Sequence, residues 1–192
     1  MEINKQSRIL RTDLQQSLNH HHINPQELSI FQRILLTTDG TVTNTLEAYL
    51  FEPIQVVKLS EQLTLATQDM PFIQLQQGEE VIDRKILLRG KLSGKNFLYA
   101  ESIIVADRLD KKFREELLTT KTPIGKVWID QKIETFKEIV DSGKEPANGL
   151  AEYFNIEPEE KMIFRTYCVL SNRKYIMMIT EKFPESYFLK DV

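Results

Sequence analysis

Val81-Ile82-Asp83-Arg84-Lys85-Ile86-Leu87-Leu88, then Gly90 to Asn96, then Phe97-Leu98-Tyr99-Ala100-Glu101-Ser102-Ile103-Ile104-Val105: this stretch decides the fold. Two runs rich in β-branched and aromatic residues flank a segment holding Gly90 and Gly94. That pattern reads as an antiparallel hairpin with a several-residue loop. A second hairpin reads from Met162–Leu170 and Tyr175–Phe183 around Ser171-Asn172-Arg173-Lys174. Between the hairpins, Leu109–Thr119 has the spacing of a charged amphipathic helix and Thr122-Pro123-Ile124-Gly125 that of a tight connector. Thr135–Val140 reads as a strand and Ala147–Phe154 as a short helix. Ahead of the first hairpin, Ile54–Leu59 reads as a strand, Thr43–Phe51 as a helix closed by Pro53, and Leu28, Phe31, Ile34 and Leu35 as a helical stripe. Residues 1–26 form a polar extension, with Ile9, Leu10, Leu14 and Leu18 at near-helical spacing; residues 27–192 form one domain. The order of elements gives the class α+β with an antiparallel sheet. No internal repeat shows in the sequence.

The chain has 192 residues, 41% hydrophobic and 28% charged, enough for one sizeable core without disulfides or a structural metal. No apolar run approaches the roughly 18 to 20 residues that cross a bilayer, so no membrane span is expected. The N-terminus MEINKQSRIL has no apolar region of the secretory kind. Cys168 is the single cysteine, which excludes an internal disulfide and a cysteine-based zinc site. Together these features point to the cytoplasm. A net charge of −3 weighs against nucleic acid as a partner. It leaves an anionic small molecule open, because one or two arginines decide that locally.

Strand alternation singles out two charges. Ile82, Arg84, Ile86 and Leu88 share one face, so Arg84 stands alone among apolar side chains. Tyr175, Met177, Ile179, Glu181 and Phe183 share another, so Glu181 does the same. A buried charge needs a partner. The bland reading is a mutual salt bridge that fixes register, with Glu101 as an alternative partner for Arg84. The functional reading makes Arg84 a fork-shaped carboxylate clamp and Glu181 a hydroxyl acceptor or proton carrier.

Other residues carry less. Consecutive residues of a helix or strand point in different directions, unlike converging metal ligands, so His20-His21-His22 reads as a solvated segment. Cys168 and Trp128 read as core. Lys111-Lys112-Phe113-Arg114 before Glu115-Glu116 reads as a solvated helix face. Triad, zincin and phosphate-loop motifs are absent from the sequence.

Five stretches then occur in the order of a known family: Thr38-Asp39-Gly40-Thr41-Val42-Thr43 leading to Leu46-Glu47, Asp83 to Leu88, Tyr99-Ala100-Glu101-Ser102, Thr122-Pro123-Ile124-Gly125, and Glu181-Lys182-Phe183-Pro184. From about Leu28 to Pro184 the chain resembles the chorismate lyases, most of all their cyanobacterial, plastid and archaeal branch. The resemblance implies a single antiparallel sheet with helices on one side and helical flaps over an internal site. It implies conversion of chorismate to 4-hydroxybenzoate and pyruvate for plastoquinone or ubiquinone biosynthesis, with no metal and no organic cofactor. The family arginine that grips the product carboxylate matches Arg84, and the glutamate at the product's hydroxyl end matches Glu181. Val42 and Ile124 match two positions that offer main-chain groups to the carboxylate, where the bacterial ubiquinone-pathway members carry methionine and leucine. The chain is longer than those members at 141–161 and at its N-terminus. For the substrate's second carboxylate, Arg89 and Arg173 are the candidates. A monomer fits the resemblance. The same fold is similar to the effector domains of GntR-type regulators, so the alternative function is a non-catalytic sensor of small aromatic acids. Such regulators carry a winged-helix domain of roughly 60 to 70 residues ahead of this region, whereas about 25 precede it here.

Overall fold

The structure, a computed structural model, describes residues 23–119, 124–130 and 132–189. The expected N-terminal helix up to His22, the histidine run and the start of the connector at Thr122-Pro123 lie outside the described residues.

Six strands form one antiparallel sheet: β1 (Ile54–Leu65), β2 (Glu80–Gly90), β3 (Asn96–Val105), β4 (Phe136–Pro146), β5 (Lys161–Ser171) and β6 (Lys174–Pro184). Their spatial order is β1-β2-β3-β6-β5-β4, so two three-stranded meanders meet where β3 pairs with β6. The helices are α1 (Ile30–Thr37), α2 (Val42–Leu50), α3 (Lys111–Thr119), α4 (Ile124–Asp130) and the four-residue α5 (Ala151–Phe154). A helix pair therefore precedes each meander, α1–α2 before β1–β3 and α3–α4 before β4–β6. This is a structural repeat that the residues do not spell out.

Local signals explain the element ends. Ser29 caps α1 in a capping box with Gln32. Phe51, at φ 55°, ends α2 in the left-handed conformation. The β2–β3 turn needs Gly94 at φ 67°, and Glu52 accepts hydrogen bonds from the Leu92 and Ser93 amides to hold it.

Both helix pairs lie on one face of the sheet, at opposite ends. Phe31, Leu35, Val42 and Leu46 of α1–α2 pack on Leu88, Leu98 and Phe183. Phe113, Leu117, Val127 and Trp128 of α3–α4 pack on Ile82, Ile104, Val169 and Met177. The rows of side chains between these two clusters are left under a gap, which is where the site forms. On the far face, α5 covers Leu87, Tyr99 and Met162, while Ala66, Ile73 and Leu75 cover Val81, Val105 and Cys168.

Two expected elements come out longer. Thr135–Val140 is the start of β4, which runs to Pro146, and Ile54–Leu59 is the start of β1, which runs to Leu65. Each of these outer strands carries a bulge, at Leu59 and at Val140, where the register shifts by one residue. A bulge reverses which residues face the helices. After Leu59 the odd residues Glu61 and Leu63 face them; before Val140 it is Lys137 and Ile139.

Candidate active site

The gap between the helix pairs is a cavity of about 70 Å³, several times what one water needs. Its floor is apolar: Ile86, Leu88, Leu98, Ala100 and Ile179. Arg84 and Glu181 both line it, as do Val42 and Ile124, so the structure brings the four expected residues together. Val42 and Ile124 are each the first residue of the second helix in its pair. The opening amides of a helix have no intrahelical acceptor, and those of the nine-residue α2 begin at the cavity wall.

The expected pairings change. Arg84 lies opposite Ser102 in β3, and Glu181 lies opposite Ala100, one row further along. Arg84 and Glu181 are thus two strands and two residues apart, on the order of 12 Å between Cα atoms from strand spacing. They do not bond to each other. Glu101 is paired with Lys85 on the other face of the sheet, where the Tyr99 hydroxyl donates to it at 3.3 Å, so it is no partner for Arg84.

Glu181 is not a lone carboxyl on an apolar face. Arg165, directly opposite in β5, donates through Nε to its Oε2 at 2.7 Å. The Tyr167 hydroxyl donates to Oε1 at 2.9 Å. Arg165 also donates through Nη1 to the Thr38 carbonyl at 2.7 Å, tying the α1–α2 connection to the site. Burial pushes the Tyr167 phenol well above its ordinary range, and the neighbouring Glu181 charge adds to this.

Arg84 is different. It is 1% exposed, yet none of its three guanidinium nitrogens has a hydrogen-bond partner among the described residues. Among the described residues its ionic neighbour is Glu61 of β1, with Nε and Oε2 3.4 Å apart. Glu61 in turn holds Lys58 at 2.5 Å. Burial pushes the Arg84 guanidinium down from its ordinary value, and Glu61 opposes that shift. Leaving a buried guanidinium without hydrogen bonds is costly. A carboxylate in the cavity would supply a bidentate partner.

Sequence reasoning missed Arg165, Tyr167, Glu61 and Lys137. The first two share the alternation that exposed Glu181: Ile163, Arg165, Tyr167 and Val169 lie on one face of β5. Glu61 and Lys137 reach the cavity face through the bulges. Arg89 and Arg173 are not at the site: Arg89 donates to Asn96 at 2.7 Å, and Arg173 is exposed in the β5–β6 turn. Cys168 is buried, its thiol pushed up to about 11 by burial. Trp128 packs in the core as expected and also walls the cavity. Among the described residues no helix is long and apolar enough to cross a membrane, and no three His, Cys, Asp or Glu gather as metal ligands.

Known proteins share this arrangement of elements. The effector domain of PhnF from Mycobacterium smegmatis superposes with a TM-score of 0.61 at 12% identity, covering 78% of this chain and 91% of that one. The ligand-binding domain of a GntR-family transcriptional regulator from Bordetella bronchiseptica gives 0.52 at 11% identity, covering 69% and 83%. At such identities these likenesses concern the fold alone. In sequence, the chorismate pyruvate-lyase of Mycobacterium leprae is 32% identical over 158 residues, 81% of this chain and 75% of that protein. That of Mycobacterium tuberculosis is 32% identical over 160 residues, 81% and 80%. Residues 36–189 match the family described as Rv2949c-like chorismate pyruvate-lyase, and the chain belongs to that family.

Proposed function

We propose that the protein is a chorismate–pyruvate lyase and that the cavity above Arg84 and Glu181 is its active site. The observation that carries this reading is the buried Arg84 guanidinium with no hydrogen-bond partner among the described residues, facing a cavity whose other polar end is Glu181. Chorismate has a ring carboxylate, an enolpyruvyl ether and a hydroxyl. Arg84, helped by main-chain groups at Val42 and Ile124, grips the ring carboxylate. The apolar floor takes the ring face. Glu181 sits at the hydroxyl-bearing carbon, held in place by Arg165 and Tyr167.

The reaction breaks the bond between the ring and the ether oxygen and removes the hydrogen from the hydroxyl-bearing carbon. The ring keeps the electrons of that C–H bond and becomes aromatic. The departing enolpyruvate takes a proton at its methylene carbon and becomes pyruvate. Aromatisation supplies the driving force, so the protein's task is to hold the dianion and manage one proton. Holding alone contributes about 7 to 11 kcal/mol of barrier reduction in favourable cases. In this reading the enzyme is cytoplasmic, uses no metal or organic cofactor, and feeds 4-hydroxybenzoate to quinone biosynthesis.

The test is purified protein with chorismate and no additive, with both products followed together. Equal amounts of 4-hydroxybenzoate and pyruvate, lost in Glu181→Ala, are expected. The fold likeness to GntR effector domains supports a second reading, a sensor. Saturable binding of 4-hydroxybenzoate without turnover would favour it.

A further inference from the structure

Chorismate carries two carboxylates, and Arg84 accounts for one. We propose that Lys137, the indole N–H of Trp128 and the hydroxyl of Thr41 form the subsite for the second carboxylate, the one on the departing enolpyruvyl arm. This inference rests on the lyase reading above for the identity of its ligand.

Three observations carry it. First, these three residues stand at the cavity mouth: they line both the cavity and the outer groove that contains Asp39, Asn44 and Lys132. An arm leaving the ring beside the hydroxyl end points there, because Lys137 is close enough to Glu181 for the two charges to interact. Second, the donors are unspent. Trp128 is 7% exposed, and its Nε1 is buried without a hydrogen-bond partner among the described residues, as is Thr41 Oγ1. The Lys137 ammonium donates to the Gly40 carbonyl at 2.7 Å, which leaves two of its three N–H groups for a carboxylate. Third, the rings confine that ammonium. Its Nζ lies 5.9 Å from the Trp128 centroid and 5.3 Å from that of Tyr167, within reach of both π faces.

The cation is there because of the bulge at Val140, which turns Lys137 onto the cavity face opposite Val169. In the first meander the matching position is Val56, opposite Leu88. A cation at one end of the gap and an apolar residue at the other gives the cavity a direction. The arm carboxylate is held at the mouth, and pyruvate departs into the groove.

Two aromatic probes separate the subsite from the chemistry: 3-(carboxymethoxy)benzoate, which carries a second carboxylate on a short arm, and 3-methoxybenzoate, which does not. Their affinities are measured by calorimetry, beside kcat/KM for chorismate. Lys137→Gln keeps a donor for the Gly40 carbonyl but loses the charge. It should weaken the dicarboxylate and lower kcat/KM by roughly 10- to 100-fold, the worth of a charge-assisted hydrogen bond. Binding of 3-methoxybenzoate and 4-hydroxybenzoate should be unchanged, and Lys137→Arg should restore most of the loss. Equal weakening of all ligands would mean that Lys137 only holds the Gly40 segment, and no change in any would place the subsite elsewhere; either overturns the proposal. A wild-type protein that turns over no chorismate but prefers the dicarboxylate, a preference lost in Lys137→Gln, would defeat the lyase reading and leave the subsite standing.

Discussion

The two meanders bury one arginine each, at matching positions, and treat them in opposite ways. Arg84 lies on β2, between Glu61 of the bulged outer strand and Ser102 of the inner strand. Arg165 lies on β5, between Ser142 of the bulged outer strand and Glu181 of the inner strand. Both are 1% exposed. The carboxylate has changed sides. In the second meander it faces inward, and Arg165 and Glu181 bond at 2.7 Å. In the first it faces outward at 3.4 Å and is shared with Lys58, while the inner neighbour is a serine. Two of the three Arg165 guanidinium nitrogens bond within the protein, whereas none of the three of Arg84 does so among the described residues. The repeated frame makes this contrast readable, since the same strand position with the same burial differs only in what its neighbours offer.

The contrast can be broken by removing each arginine in turn. Arg165→Met strands Glu181 in a buried place and frees the Thr38 carbonyl. It should cost about 3 to 5 kcal/mol of stability, read by denaturant unfolding. Arg84→Met should leave stability within about 1 kcal/mol of wild type, because an unbonded guanidinium is replaced by an apolar chain of similar length. Its loss should appear instead in carboxylate binding, at about 2 to 5 kcal/mol, read as kcat/KM for chorismate. A finer cut is Tyr167→Phe. It removes a hydrogen bond to a charged acceptor and should cost about 1.5 to 3 kcal/mol of stability, with a matching fall in turnover if the placement of Glu181 matters to the chemistry.

The smallest expected effect is on pH. Burial pushes Lys137 down to about 8, with Arg165 adding to the shift and Glu181 and Asp39 opposing it. An amine is charged below its pKa, so kcat/KM should fall as pH rises through about 8 and then level off. In Lys137→Arg the fall should move out of the measured range. A profile that is flat across that window would remove Lys137 from the site.

Much of this was legible in the residues. Both hairpins, the antiparallel sheet and the cavity-facing placement of Arg84 and Glu181 follow from period-two alternation, because those strands run without a bulge through the site. Arg165 and Tyr167 obey the same rule and were legible in principle. Glu101 misled because alternation assigns residues to a face but does not say which faces of two strands coincide; the register Arg84 to Ser102 decides that. Glu61 and Lys137 were not legible. A bulge changes parity with no residue type to announce it, and Leu59 and Val140 are ordinary strand residues. The repeat was hidden for a related reason: its halves share register and packing, which tolerate exchange of one apolar residue for another.

The most direct test is thermal unfolding of wild type and Arg84→Met, each with and without 4-hydroxybenzoate. Ligand at a hundred times its dissociation constant adds about 2.7 kcal/mol. For a chain of this length that is a rise in Tm of roughly 5 to 10 °C. That rise is expected in wild type, at most about a third of it in Arg84→Met, and nearly equal Tm values without ligand. An Arg84→Met protein that melts far lower without ligand, yet still gains the full rise with it, would show that Arg84 is spent on the fold after all.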